Sequence, residues 1–373
     1  MNNMIKLNDF QLLWTQIEKE VIDSVKKFGK SGWYILGQGV KDFEQELTKF
    51  YPNNKYCTGC ASGLDAIEIG LRALGIKPGD IVLTTPLSAF ATTLAILRCG
   101  GIPAFVDTDE NGLIDLNLAR DFFTNNPNVK FFIPVHLYGQ AINLEKLKKL
   151  KEDFDLKIVE DCAQAVLAED ESGFVGSVGQ ITATSFYPTK NLGCFGDGGA
   201  LLTTDSNLHE ISNTIRDYGQ SSKYNHSIVG MNSRLDELQA IIMKDVFLPK
   251  LKKQTEHRRQ IASIYINGIR NSEINLLQIP KNSKPVYHLF PVFSEHRDVL
   301  KEYLKQNEIE SGIHYPILIT DQTALHNIPH IISGSLDNAK KIVKQELSLP
   351  INSLITTEEA NKVVKICNSW KTR

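Results

Sequence analysis

Two short runs of this chain carry the residue types of a single chemistry. Glu160-Asp161-Cys162-Ala163-Gln164 closes an apolar stretch, and Ser185-Phe186-Tyr187-Pro188-Thr189-Lys190-Asn191 follows another. A lysine amine can form a Schiff base with an aldehyde cofactor, and a serine hydroxyl can hold a phosphate. A carboxylate can keep a pyridine nitrogen protonated so that the ring withdraws electrons. Taken singly, each residue has an ordinary use: lysines after strands sit in solvent, and an aspartate after Lys157-Ile158-Val159-Glu160 caps helices. Taken together they predict pyridoxal 5'-phosphate chemistry on an amine. The strand ends at Ile158-Val159 and Thr182-Ala183-Thr184 would aim both groups at one crevice, beyond the carboxyl ends of a parallel sheet.

Elements of the right kind surround these runs. Helical apolar spacing covers Asp9 to Lys27 and Gly37 to Tyr51. Short β-rich runs then alternate with helical stretches: Ile81-Val82-Leu83, Ala104-Phe105-Val106, Phe131 to Val135, Ile158-Val159, Ala183 to Phe186 and Ala200-Leu201-Leu202. Several are apolar in both parities, as in strands covered on both faces, so the pattern predicts an α/β fold with a mostly parallel central sheet between helices. A long charged helix, Leu248 to Ile269, carries Lys252, Lys253, Glu256, Arg258 and Arg259 and reads as a solvated link between two domains. Beyond it, the β-like run Val286 to Val292 and helices around Val299 to Gln306 and Thr357 to Trp370 give a smaller α+β unit. The expected division is a large cofactor-binding domain at 1–247 and a small C-terminal domain at 248–373.

Composition narrows the partners. The chain of 373 residues is long enough for two cores, and a net charge of −2 from 41 basic and 43 acidic side chains implies no polyanion, so nucleic acid is not expected. No apolar run approaches the roughly 20 residues that span a bilayer. Met1 to Lys6 lacks the apolar region of a signal peptide, so a cytoplasmic protein with no membrane partner is expected. The six cysteines are scattered and read as reduced thiols. Cys57-x-x-Cys60 has no second ligand pair, so no metal is expected and both are taken as half-buried small residues.

Two weaker signals involve helix starts. Ser62-Gly63 precedes the helical run Ile67 to Leu74, where free backbone N–H groups and a hydroxyl can hold a phosphate or simply cap the helix. Gly230 to Ala240 places Asn232, Arg234 and Asp236 just before another helix.

The order of these motifs resembles the DegT/DnrJ/EryC1/StrS sugar aminotransferases, a branch of the fold-type I pyridoxal phosphate enzymes. The likeness runs through Gly32 to Gly37, Ser62 to Ala66, Val135 to Gly139, Glu160 to Ala165, Ser185 to Gly199, Asn232 to Ala240, His314-Tyr315-Pro316 and Leu347 to Pro350. It implies Lys190 as the Schiff-base lysine, Asp161 at the pyridine nitrogen and Gln164 at the ring substituents. Ser62, Gly63 and Ser185 would hold the phosphate, joined by Asn232 from a second subunit, so the implied assembly is a homodimer with shared sites. The implied substrates are a nucleotide-linked keto sugar and glutamate. Tyr187 after Ser185-Phe186 looks most like enzymes that aminate C3 of dTDP-3-keto-6-deoxyhexoses. A UDP-linked 2-acetamido-3-keto sugar or a 4-keto sugar is the alternative. Tyr187 and Tyr315 are candidate sugar contacts, and Lys223, His226, Arg234 and His314 are candidates for binding carboxylate or diphosphate.

Three positions depart from the family pattern. Ala89 stands where a ring-stacking aromatic is common, and the neighbouring Phe90 is turned about 100° away on a helix. Val166-Leu167 replaces His-Gly, and Thr320 replaces a second histidine. A sugar dehydratase of the same fold would carry histidine in place of Lys190. A cofactor-binding regulatory protein without turnover is the remaining alternative.

Overall fold

The computed structural model describes residues 4–372. Its centre is an eight-stranded sheet. Numbering the strands of the two main sheets along the chain, seven come from β1 (Tyr56–Cys60), β2 (Ile81–Thr84), β3 (Ile102–Val106), β4 (Phe131–Phe132), β5 (Lys157–Asp161), β6 (Ile181–Ser185) and β7 (Gly199–Thr203). A three-stranded antiparallel sheet follows, formed by β8 (Asn275–Leu276), β9 (Phe290–Phe293) and β11 (Glu346–Leu349). The remaining strand, β10 (Ile331–Ser333), returns to the large sheet and pairs in parallel with β3, Ile331 opposite Ala104. The large sheet runs β1-β7-β6-β5-β4-β2-β3-β10, parallel throughout except where β7 pairs with β1 and β6.

Successive strand residues point to opposite faces, and both faces are covered. Val82, Phe131, Val159 and Ile181 pack with Ile67, Ile69, Ala95 and Ile96 from helices α3 (Gly63–Ala73) and α4 (Phe90–Arg98); numbering counts α1 (Phe10–Ser31) and α2 (Gln38–Thr48) before them. Leu83, Phe132 and Ile158, each next to one of these residues in its strand, pack on the other face with Phe122, Phe123, Leu147 and Leu150. This is why the strands read as apolar in both parities. The C-terminal region has its own core, in which Ile261 and Tyr265 meet Val292, Leu300, Leu347, Val363 and Trp370.

Several expectations are corrected. The run 131–135 is a strand only at Phe131–Phe132; Pro134 has no N–H to donate, and the chain continues beside β5 through isolated bonds such as Asp161 N–H to Pro134 C=O (2.9 Å). Within 286–292 only the end is strand, because Tyr287 takes a left-handed backbone (φ 45°). The helix Leu248–Gly268 is not a solvated link. Lys252, Lys253 and Glu256 are exposed, but Leu251, Thr255, Arg258, Ile261, Ala262 and Tyr265 are buried. Arg258 lies in the core, where Nη1 donates to the carbonyls of Tyr287 (3.2 Å) and Ile351 (2.8 Å), and burial lowers its pKa to about 10. Cys57 and Cys60 are fully buried rather than half-buried, and burial raises both thiols.

Among the described residues, one grouping has metal-ligand types, His136 with Glu160 and Cys162. Its carboxylate is already engaged: Glu160 accepts from the amides of Gly176, Val178 and Gly179 and lies 3.0 Å from His136 Nε2, so the grouping is a buried structural network. No helix among the described residues is long and apolar enough to cross a membrane.

Candidate active site

A cavity of about 520 Å³ opens where β5 and β6 end and α3 and α4 begin. Asp161, the last residue of β5, is buried in its wall. Thr92 Oγ1 donates to its Oδ2 (2.9 Å) and the Ala163 amide to its Oδ1 (3.1 Å), so the carboxylate is fixed from both sides. Lys190 follows β6 in a tight turn closed by Lys190 N–H to Tyr187 C=O and Cys194 N–H to Phe186 C=O, both 2.8 Å. Burial pulls the Lys190 amine down to about 8, opposed by the Asp161 carboxylate. A lysine so placed has a usable neutral fraction near neutral pH.

Another part of the cavity wall is a cradle with no room for a side chain at its glycines. Ser62 caps α3, its Oγ accepting from the Asp65 amide (3.1 Å), and Ser185 Oγ accepts from the Tyr187 amide (3.3 Å). A Cβ on Gly63 would lie 2.5 Å from Ser185 Cβ, and one on Gly199 would lie 2.4 Å from the Ser62 carbonyl carbon. Two loops therefore approach at van der Waals distance beside the positive end of an 11-residue helix, an arrangement suited to phosphate. The capping and phosphate roles of Ser62 are compatible, because an Oγ that accepts from Asp65 keeps its own proton to donate. With a fixed acid, a depressed lysine and this cradle lining one cavity, the residues fit a phosphorylated pyridine aldehyde.

Gln164 is held by its carbonyl: Oε1 accepts from the Tyr138 amide (2.7 Å), leaving the NH2 group to face Tyr315 Oη (3.2 Å). His288, His314 and Tyr315 close the wall contributed by the C-terminal region. Burial lowers His288 well below its ordinary range, with Lys190, Arg258 and His314 adding to the effect. His314 falls to about 4, through burial and then Lys190, and burial raises Tyr315 to about 12. Tyr187 stands half-exposed at the mouth, with 53% of its surface accessible.

Thus Ser62, Gly63, Asp161, Gln164, Ser185, Tyr187, Lys190, His314 and Tyr315 line one cavity. Asn232, Lys223, His226 and Arg234 do not. Asn232 is exposed and bridges Asp217 through its backbone, and Arg234 Nη1 binds Asp217 (3.0 Å) above the Tyr218 ring. Lys223 and His226 belong to a small exposed hairpin, with His226 Nδ1 2.8 Å from the Tyr218 carbonyl oxygen. Ala89 lines the cavity as the residue preceding α4, whereas Phe90 packs outside it against Phe105, Ile319 and Leu325. Val166 and Leu167 sit in the core, and Thr320 is buried away from the cavity lining.

Three contributors were missed in the sequence. Tyr138 lies within the run Val135 to Gly139 and Thr92 two residues beyond Phe90, but their bonds to Gln164 and Asp161 depend on tertiary approach. His288 carries no spacing signal at all.

The DegT/DnrJ/EryC1/StrS aminotransferase family model matches residues 15–368. A dTDP-3-amino-3,6-dideoxy-alpha-D-galactopyranose transaminase of Aneurinibacillus thermoaerophilus is 37% identical over 98% of this chain and 99% of its own. A pleiotropic regulatory protein of Geobacillus stearothermophilus is 35% identical over 97% of each. Among solved structures, DesV of S. venezuelae in complex with a ketimine intermediate superposes with a TM-score of 0.93 at 34% identity, covering 98% of both chains. With the family pattern spanning the chain and a lysine and an aspartate lining the same cavity, this protein belongs to the DegT/DnrJ/EryC1/StrS aminotransferase family.

Proposed function

We propose that this protein is a pyridoxal 5'-phosphate-dependent aminotransferase of nucleotide-linked keto sugars. Its preferred substrate is a dTDP-3-keto-6-deoxyhexose, with glutamate as amino donor. The observation that carries this reading is the pairing of a Lys190 amine lowered to about 8 with a rigidly held Asp161 in one cavity. When bound, the cofactor supplies an electron sink for the carbon that bears the amine. Asp161 would keep the pyridine nitrogen protonated, Ser62, Gly63 and Ser185 would hold the phosphate, and Gln164 would contact the ring's substituents. Lys190 Nζ would hold the cofactor at rest. Once displaced, it would take a proton from the donor carbon and return one to the sugar carbon, so both half-reactions depend on one atom.

The reading includes a cytoplasmic homodimer. Residues 1–247 form its cofactor-binding unit, and 248–373 close the cavity through His288, His314 and Tyr315. Asn232, which lies exposed outside its own chain's cavity, would serve the partner's phosphate. Exposed Trp33, Tyr34, Ile35, Tyr224 and Val229 support a covered surface.

Glutamate added to the purified holoprotein should abolish the visible absorbance of the bound aldehyde. A panel of dTDP- and UDP-linked keto sugars, read by mass spectrometry, then identifies the acceptor. An unchanged spectrum would place the protein with non-catalytic binders instead. For the shared site, co-expressed Lys190→Ala and Asn232→Ala chains should regain activity that neither parent has; verified heterodimers with none would refute it.

A further inference from the structure

Beneath the cavity wall lies a buried carboxylate that the mechanism above does not use. Glu346, in β11, is fully buried and reaches the segment 312–315 directly and through Ser348. Its Oε2 accepts from the His314 amide (2.6 Å), and its Oε1 accepts from Ser348 Oγ (2.6 Å). Ser348 Oγ is in turn 2.9 Å from His314 Nδ1. The segment is fixed against β11 by Gly312 N–H to Ser348 C=O (3.1 Å) and Ser348 N–H to Gly312 C=O (2.7 Å), and by Tyr138 Oη donating to the His314 carbonyl (2.7 Å).

The direction of this chain follows from counting protons. A hydroxyl has one to give, and Ser348 gives it to the carboxylate, so Ser348 can only accept from His314. Nδ1 must then carry the imidazole proton. Nε2 has no hydrogen-bond partner among the described residues, and His314 lines the cavity. We propose that Glu346 is a positioning residue that, through Ser348, holds His314 as its Nδ1–H tautomer, so that Nε2 accepts a hydrogen bond from a hydroxyl of the substrate. The tautomer assignment stands on the hydrogen bonds alone; the hydroxyl as its ligand rests on the keto-sugar reading.

The groups that face Glu346 are His314 and Ser348 at the carboxylate, Tyr138 and Tyr315 from the cavity side, and Arg297, whose Nη1 donates to the Glu346 carbonyl (3.0 Å). Burial outweighs the bonds to Ser348 and His314 and raises the carboxyl to about 7. A protonated Glu346 donates to Ser348, which then donates to Nδ1, and Nε2 becomes a donor. The imidazole, lowered to about 4, stays neutral through this change. Glu346→Gln makes the reversed state permanent. The amide oxygen must face the His314 N–H, which leaves the NH2 to donate to Ser348.

Solid-state ¹⁵N NMR of histidine-labelled holoprotein reads the tautomer directly, with His314 isolated by difference against His314→Gln in each background. At pH 8.5 the wild type should show a protonated Nδ1 and an unprotonated Nε2, and Glu346→Gln the reverse. Ser348→Ala should give a mixture that no longer responds to pH between about 5.5 and 8.5. The same tautomer in wild type and Glu346→Gln, or a protonated Nε2 in the wild type at pH 8.5, would overturn the proposal. In kinetics, Glu346→Gln should raise KM for the keto sugar up to about tenfold, since Nε2–H would oblige the hydroxyl to accept where it had donated, and should change the glutamate half-reaction less. A reversed tautomer with unchanged sugar KM would remove the hydroxyl as ligand. If no keto sugar is turned over while the tautomer still reverses, the substrate reading fails and the positioning role stands.

Discussion

Asp161→Asn should make Lys190 a better nucleophile and the enzyme a worse catalyst. Two influences act on the Lys190 amine: burial lowers its pKa, the Asp161 carboxylate raises it, and the balance lies near 8. At pH 7 such an amine is about 10% neutral, whereas an ordinary lysine is only about 0.03% neutral, a difference of roughly 300-fold. Removing the carboxylate leaves burial unopposed. If the pair is worth about one pKa unit, the low end for a nearby opposite charge, the midpoint falls toward about 7 and half the amine is neutral at that pH. Competitive labelling of cofactor-free protein with an amine-selective reagent from about pH 5 to 10, with the Lys190 adduct quantified by mass spectrometry, measures this midpoint. The wild type should titrate near 8 and Asp161→Asn below it. Turnover of the variant should nevertheless fall by orders of magnitude, because the pyridine nitrogen loses its partner. A wild-type midpoint near 10.5, or a variant midpoint above that of the wild type, would refute the argument.

Other substitutions follow from particular contacts. Gly63→Ala would force a Cβ to 2.5 Å from Ser185 Cβ; it should weaken cofactor binding by about tenfold or more in a fluorescence titration and cost about 1–3 kcal/mol in urea unfolding. Glu160→Gln should cost about 3 kcal/mol at pH 7, because the buried carboxylate serves three amides and His136. Burial would raise Glu160, but His136 and the Gly179 and Gly176 amides outweigh it and hold the carboxyl below its ordinary 4.5. Its stabilisation is therefore complete above about 4.5 and lost as pH falls through the lower folded value, so the difference between variant and wild type in urea should shrink in acid. Arg258→Met strands the carbonyls of Tyr287 and Ile351 and should cost about 1–3 kcal/mol, while Lys252→Ala and Lys253→Ala on the same helix stay within about 0.5 kcal/mol.

What could be read from the sequence was local. Asp161 and Gln164, and likewise Ser185 and Lys190, share a strand end and the turn beyond it, so chain order alone brings each set to the rim of the sheet. The strand Tyr56–Cys60 escaped because Tyr-Cys-Thr-Gly-Cys carries no β-branched apolar alternation; it is made a strand by pairing with Gly199–Thr203. Ile331–Ser333 is three residues long and owes its state to Ala104–Val106, more than 200 positions away. The long helix misled because its buried stripe includes Thr255 and Arg258, polar residues that a period of apolar side chains does not count. Arg258 is tolerated there because two carbonyls of neighbouring loops need a donor.

The departures from the family pattern separate along the same line. Leu167 takes a left-handed backbone (φ 69°) where the pattern has glycine, and its side chain is buried in the core rather than in the cavity lining. Thr320 is likewise remote from the cavity lining, which leaves Ala89 as the one departure that reshapes the site. Electrostatics then bear on the anionic ends of the substrates. His288 and His314, the basic side chains beside Lys190 in the cavity wall, are both lowered enough to be neutral near pH 7 and so act as hydrogen-bonding groups rather than cations. Lys190 itself is committed to the reacting carbon. On the proposed reading, positive charge for the carboxylate and diphosphate, expected in part of His314, would then come from outside the cavity of a single chain. Lys223 and Arg234 are exposed or partly so on the face that also carries Asn232, Tyr224 and Val229. On the shared-site reading, that face delivers to the partner's cavity the positive charge its own wall lacks. The requirement for a dimer would then be electrostatic as well as steric.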